Sequence, residues 1–262
     1  MILAIDCGNT HITLGCVDSL GTAFPVFRIP TDLSETEFGY AAKIKQILEL
    51  EGVSPDTLSG VAISCVVPPV TDTLVRAAEK LTHTKPLVVG AGVKTGLHIC
   101  INDPGTVASD LVVAGVAAKA EYPLPCVIAD MGTATTLTVI DEKGRFIGGA
   151  ILPGTKLSLD ALAQKTALLP LTDMSSPKSV IGTNTVDCMK AGIVYGAAGA
   201  LDGLLDRFEE QLGAIGSIVA TGGLASSVAP HCRHVFKIDE TLLLRGLRLI
   251  WDKNQAHRED KH

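Results

Sequence analysis

Two short segments carry residue types suited to handling phosphate. Asp6-Cys7-Gly8-Asn9-Thr10 closes one apolar run and opens another. Gly8 permits a sharp turn and close backbone approach, while Asn9 and Thr10 can donate hydrogen bonds to phosphate oxygens. Asp6 would be repelled by phosphate itself. Its carboxylate suits a hydrated Mg2+, which favours carboxylate and water ligands. Taken alone, the segment could equally be an Asx turn in a hairpin. Asp130-Met131-Gly132-Thr133-Ala134-Thr135-Thr136 repeats the same chemistry about half a chain length later. A third turn, Thr221-Gly222-Gly223-Leu224, follows an apolar run and suits the approach of backbone amides to a nucleotide. No GxxxxGK[ST] segment is present, so the P-loop route to ATP is excluded. Three turns in this order point to an actin-like ATPase.

These turns need strands to hold them. Residues 2–17 and 126–141 read alike, each an apolar run ending in Asp, a Gly turn and a second β-rich run. Self-similarity at this period implies duplication. In the first half, strands are expected at 2–6, 11–18, 23–29, 60–66 and 86–89. Helices are expected at 34–51, where Ala41, Ile44, Ile47 and Leu48 keep helical spacing, and at 69–82 behind Pro68-Pro69. In the second half, strands are expected at 126–130, 134–140, 145–151, 216–221 and 233–237. Helices are expected at 155–167, 184–212, after Gly223, and at 240–253. Segment 103–121 reads as a helix joining the halves. The resulting class is α/β: mixed sheets covered by helices, in domains 1–118 and 119–262, with a ligand cleft between them. The two phosphate turns would face each other across that cleft. The polar tail 254–262 is expected to fray.

Composition narrows the function. The 262 residues are 47% hydrophobic and 19% charged, enough for a core and too apolar for extended disorder. A net charge of −6 argues against a nucleic-acid partner. No apolar run approaches the ~20 residues that cross a bilayer, so no membrane association is expected. The N-terminus lacks the basic stretch of a signal peptide. Seven cysteines without a CxxC pair read as reduced thiols of a cytoplasmic protein. His231-Cys232-Arg233-His234 lacks a second ligand cluster at zinc spacing.

The motifs DCGNT (6–10), ISCVVP (63–68), DMGTATT (130–136), GGAILPG (148–154), IGTNTVDCMKAGIVYG (181–196), ATGGLA (220–225) and TLLLRGLRLIWDKN (241–254) together resemble the type III pantothenate kinases, the family that includes the Bvg accessory factor homologues. The resemblance covers roughly residues 1–254. It implies duplicated ribonuclease H-like domains of the actin/acetate-kinase type and transfer of the γ-phosphate of ATP to the primary hydroxyl of pantothenate, the first step of coenzyme A synthesis. It also implies a homodimer, Mg2+, and a monovalent cation such as K+ or NH4+. Carried over residue by residue, Asp6, Cys7, Gly8, Asn9, Thr10, His11, Ile12 and Thr13 form the ATP loop, and Thr133 also binds ATP. Asp130 ligates the monovalent cation. Asp110 accepts the hydroxyl proton. Ala108, Ser109, Asp110, Leu111 and Ile101 line the acceptor pocket, and Thr185 reaches it from the neighbouring subunit.

The acceptor motif departs from the family's pattern Tyr-x-Asn-Pro-x-x-x-Gly-x-Asp-Arg. Pro104 and Asp110 match, whereas Ile101, Asp103, Ala108 and Leu111 stand where the family has Tyr, Asn, Gly and Arg. Losing one partner of a buried charge pair costs about 2–5 kcal/mol, roughly 30-fold to several-thousand-fold in affinity. Three accounts follow. A nearby base such as Arg28, Lys156 or Lys165 could replace the arginine; the acceptor could be a less anionic alcohol; or the chain could bind ATP without turnover, as a regulatory homologue.

Overall fold

A computed structural model of the chain describes residues 1–259. In chain order the elements are β1 (Ile2–Cys7), β2 (His11–Val17), β3 (Ala23–Pro30), α1 (Glu37–Leu50), β4 (Val61–Cys65), α2 (Pro68–Thr82), β5 (Leu87–Val88), β6 (His98–Ile99) and α3 (Ser109–Glu121). There follow β7 (Cys126–Met131), β8 (Ala134–Ile140), β9 (Arg145–Pro153), α4 (Thr155–Lys165), α5 (Thr185–Leu212), β10 (Ser217–Thr221), α6 (Ala225–Val228), β11 (Lys237–Ile238) and α7 (Leu242–Glu259). The chain divides into two compact units. One comprises residues 1–97, 102–117 and 241–262, the other 98–101 and 118–240.

The first unit is built on a sheet of order β3-β2-β1-β4-β5. β1 is its central strand, antiparallel to β2 and parallel to β4. Its run Ile2-Leu3-Ala4-Ile5 is wholly buried, as a strand covered on both faces must be. Leu3, Ile5 and Cys7 share a core with Tyr40, Ile44 and Leu48 of α1 and with Val70, Leu74 and Ala77 of α2. Thr36 caps α1 by accepting from the Gly39 amide at 3.1 Å, and Pro68 opens α2, where a missing N–H costs nothing. α7 packs on β1, β2 and β4. Its Leu244 and Trp251 lie where Cβ atoms at Gly15 and Gly60 would collide with them.

The second unit repeats the plan. Its sheet runs β11-β10-β7-β8-β9-β6, so β9-β8-β7-β10-β11 matches the first sheet strand for strand. Val127, Ala129, Met131, Leu137 and Val139 pack with Ala198, Leu201 and Leu205 of α5 and with Ala225 and Val228 of α6.

Four expectations change. The final helix belongs to the first unit rather than to a domain 119–262, because its apolar stripe fills the glycine-lined face of the first sheet. Residues 254–259 are helical rather than frayed, and 260–262 lie outside the described residues. The helix expected at 103–121 starts at Ser109; before it Asp103 accepts from the Gly105 amide at 3.2 Å and caps a 3-10 turn at 104–106. The strand expected at 233–237 is reduced to Lys237–Ile238. The amides of Arg233 and His234 are taken by the buried Asp202 carboxylate at 2.8 and 3.1 Å, which removes them from the sheet ladder.

Candidate functional site

In the first unit the β1–β2 hairpin pairs Asp6 with Thr13 and Cys7 with Ile12. The turn is closed by the Gly8 amide on the His11 carbonyl at 3.0 Å, and Thr31 Oγ1 donates to the Gly8 carbonyl at 2.7 Å. Asn9, Thr10 and His11 are exposed, and Gly8, Asp6 and Thr13 are half-buried. Cys7 and Ile12 are in the core, so of residues 6–13 these two offer a ligand only their backbone.

Parallel pairing sets Ser64 of β4 beside Asp6. Ser64 is fully buried, and its hydroxyl meets that of Ser109, the first residue of α3, at 3.1 Å. Ser109 Oγ also lies 3.4 Å from the Cys65 carbonyl. These contacts fix the first turn of α3, and with it Asp110, beside the end of β4. Asp110 is half-buried. Burial pushes its carboxyl above the usual value, opposed by the Leu111 amide, which donates to Oδ1 at 2.7 Å. A carboxylate with a raised pKa is the better proton acceptor. Ser64 stands in the ISCVVP motif, but its partner could not be read there, since only the fold brings it to Ser109.

Of the departed acceptor residues, Asp103 has a visible local role as the cap of the 3-10 turn, which an Asn would fill equally well. Ala108 is exposed and Leu111 half-buried. Ile101 belongs to the second unit, within about 4.0 Å of where a Cβ at Gly148 would stand. Lys156 is ion-paired to Asp160.

On the opposite face of the first sheet, Cys7 and Cys65 are register partners. The Cys7 thiol donates to the Gly8 carbonyl at 3.9 Å. The neighbouring Cys65 sulfur raises the Cys7 pKa and burial raises it further, while Cys7 lowers the pKa of Cys65.

In the second unit Asp130 is flanked by Thr136 of β8 and Thr221 of β10. The turn after it is closed by the Gly132 amide on the Ala134 carbonyl at 3.0 Å, and the Gly154 amide reaches the Thr133 carbonyl at 3.1 Å. Thr133 is exposed. Gly222 has φ +87°; a Cβ there would strike the Asp130 carboxylate and lie 2.7 Å from the Met131 amide nitrogen. A Cβ at Gly154 would lie 2.8 Å from the Thr133 carbonyl carbon. Glycine is therefore required at both positions of this cradle. The hydroxyls of Thr136 and Thr155 are buried there without an intramolecular partner.

Thr185 is the exposed first residue of α5. The cap is Asn184, whose Oδ1 accepts from the Asp187 amide at 2.9 Å, so the Thr185 hydroxyl is not the capping group. It lines an open hollow of about 590 Å3 with Leu169, Gly182, Thr183 and Cys188. On α5, Ala191 and Val194 are buried in the unit itself, whereas Gly192 and Gly196 stay exposed.

The duplicated sheets and glycine-lined turns define an α/β protein of ribonuclease H-like units, of the actin/acetate-kinase type. The family model of type III pantothenate kinase matches residues 2–207. The chain is 41% identical over 255 residues to a type III pantothenate kinase of an Exiguobacterium species, covering 97% of this chain and all of the relative. It is 40% identical to that of Bacillus cytotoxicus, covering 100% and 99%. This chain belongs to the type III pantothenate kinase family. Among solved structures, the activator of 2-hydroxyisocaproyl-CoA dehydratase from Clostridium difficile, with bound ADPNP, superposes with a TM-score of 0.59 at 11% identity, covering 98% of this chain and 97% of that one; that likeness concerns the fold alone. Among the described residues no helix is long and apolar enough to cross a membrane.

Proposed function

We propose that this chain transfers the γ-phosphate of ATP to the primary hydroxyl of pantothenate, the first step of coenzyme A synthesis. The observation that carries this reading is the similarity to pantothenate kinases over the whole length of both chains.

In this reading the tip of the β1–β2 hairpin, with Asn9 and Thr10, and the exposed Thr133 hold the phosphates through hydroxyl, amide and backbone donors. Gly8 lets the backbone approach. The acceptor hydroxyl attacks the γ-phosphorus, forming the new P–O bond as the bond to the β-phosphate oxygen breaks. Asp110 takes the hydroxyl proton late, when most of the barrier has already been lowered by positioning and charge neutralisation. Ser109 and Ser64 hold Asp110 in place. Ala108, Leu111, Ile101 and Thr185 of a second copy complete the acceptor pocket.

Asp6 would hold Mg2+ and Asp130 a monovalent cation such as K+ or NH4+. Among the described residues no group of three or more His, Cys, Asp or Glu could hold a metal. Ions of this kind are commonly held by one or two carboxylates, water and substrate phosphates rather than by a protein cage. Such ions supply charge neutralisation of the phosphates.

The chain acts as a homodimer in the cytoplasm in this reading, with exposed Gly192 and Gly196 on α5 permitting close helix approach. A monomeric mass in light scattering at tens of micromolar would remove Thr185 from the partner's pocket. ADP formation measured with and without pantothenate tests the activity. The expected outcome is release that depends on pantothenate; release indifferent to it sinks the acceptor assignment. The variant Ile101→Tyr/Asp103→Asn/Ala108→Gly/Leu111→Arg is expected to lower the KM for pantothenate more than it changes kcat, as for recovered ground-state binding. Asp103, Ala108 and Leu111 lie close together in one unit, so the effects of their substitutions will not simply add.

A further inference from the structure

Cys7 and Cys65 are directly opposed on neighbouring parallel strands. Both side chains lie on the face that carries α1 and α2. Adjacent strands stand about 4.8 Å apart, within the roughly 4.4–6.8 Å between Cα atoms that a disulfide accepts. Each thiol donates to a backbone carbonyl beside it, Cys7 to Gly8 at 3.9 Å and Cys65 to Val67 at 3.4 Å, and the two sulfurs perturb each other's titration. Cys7 is 1% exposed, whereas Cys65 is half-buried and open to a small reagent. Cys7 sits between Asp6 and Gly8 of the phosphate turn. Cys65 has no part in phosphoryl transfer as described above.

We propose that Cys7 and Cys65 form a dithiol site that a peroxide closes to a disulfide, and that this bond lowers ATP affinity by displacing the first phosphate turn. The proposal rests on the reading of residues 6–13 as the ATP loop. In the first step the Cys65 sulfur attacks a peroxide oxygen. An S–O bond forms, the O–O bond breaks, and the departing hydroxide takes the thiol proton as water. In the second, the Cys7 sulfur attacks the sulfenic sulfur of Cys65. The S–S bond forms, the S–O bond breaks, and the second hydroxide leaves as water with the Cys7 proton. The two sulfurs together lose two electrons and hydrogen peroxide gains them. Side by side on strands about 4.8 Å apart, the two Cβ atoms stand farther apart than the roughly 3.8 Å a disulfide prefers, so closing the bond draws the end of β1 toward β4. Gly8 follows directly, and with it the backbone amides that the turn presents to phosphate.

The test uses the full reduced chain treated with hydrogen peroxide. Non-reducing peptide mass mapping is expected to show Cys7 joined to Cys65. Mg·ATP affinity should fall about tenfold or more, as for the loss of one hydrogen bond to a charged group, and return with dithiothreitol. Cys65→Ser keeps a donor to Val67 and should keep its ATP affinity in peroxide, with Cys65→Ala as the second variant should serine perturb the fold. Absence of the joined peptide, a joined peptide with unchanged ATP affinity, or a Cys65 variant as peroxide-sensitive as the parent would each overturn the proposal. Reduced protein that binds no Mg·ATP overturns the loop assignment, and with it the effect on affinity; the mass of the joined peptide still decides the dithiol site.

Discussion

The hairpins β1–β2 and β7–β8 are the same object built twice. In both, the first strand is buried at four positions, half-buried at Asp and buried again at its last residue, and the second strands share one burial pattern position for position. The difference lies in what the neighbouring parallel strand supplies. Beside Asp6, Ser64 reaches the Ser109 hydroxyl and so fixes the start of α3. Beside Asp130, Thr221 leads into Gly222, whose left-handed backbone is pressed onto Asp130 and Met131. One turn is held by a side-chain hydrogen bond from Thr31 to the Gly8 carbonyl and stands beside the strand that fixes the start of α3. The other is positioned by backbone packing that leaves no room for a methyl group. Duplication conserved the frame and left the flanking strand free to specialise each copy.

That contrast can be broken most sharply at Asp110. On the proposed role of Asp110 as proton acceptor, Asp110→Asn should lower kcat by roughly 100- to 10,000-fold while the Mg·ATP-induced rise in melting temperature persists, because a residue in that role serves the acceptor rather than the nucleotide. A variant that retains full phosphorylation of pantothenate would sever the first copy from acceptor chemistry.

The next effect compares the two glycines. Gly222→Ala combines positive φ with a collision against backbone, and should cost about 2–4 kcal/mol in urea unfolding. At Gly8 an added Cβ would meet only the His11 carbonyl oxygen, at an ordinary 3.4 Å. Gly8→Ala should therefore stay under about 1 kcal/mol and show its effect in ATP affinity instead. Equal stability losses would erase the distinction between the copies.

Ser64→Ala removes one buried hydroxyl contact and should cost about 1 kcal/mol. As a positioning residue, Ser64 should act on kcat through Asp110 more than on the KM for ATP. A loss of stability with unchanged kcat would reduce it to a packing role.

The smallest effect is in the pH dependence of stability. Burial holds the Asp110 carboxyl above its ordinary 3.8. Between that value and the raised folded value the native state binds more protons than the unfolded chain. This group therefore favours folding in acid, and its contribution is lost as pH rises through the folded value. Asp110→Asn should melt slightly higher than the parent at neutral pH, and the advantage should vanish below pH 3.8. A variant that melts lower at neutral pH would mean the helix dipole outweighs burial at this site.

The sequence by itself determined what depends on neighbours along the chain. The strand–turn–strand segments around Asp6 and Asp130 were legible because apolar runs broken by Gly and Asp are local signals. The helices α1 and α2 followed from apolar spacing and from Pro68 at a helix start. Even the doubled frame could be read, since a duplicated sequence keeps its period. Tertiary structure decided what depends on residues remote in sequence. Asp202 withdraws the Arg233 and His234 amides from the expected strand. α7 packs in the first unit because Gly15 and Gly60 leave space for Leu244 and Trp251. Ser64 finds Ser109, and Cys7 finds Cys65, only once β1 and β4 pair in register. Local propensity acts within a few residues, whereas strand register and helix docking are set by burying apolar surface across the whole unit.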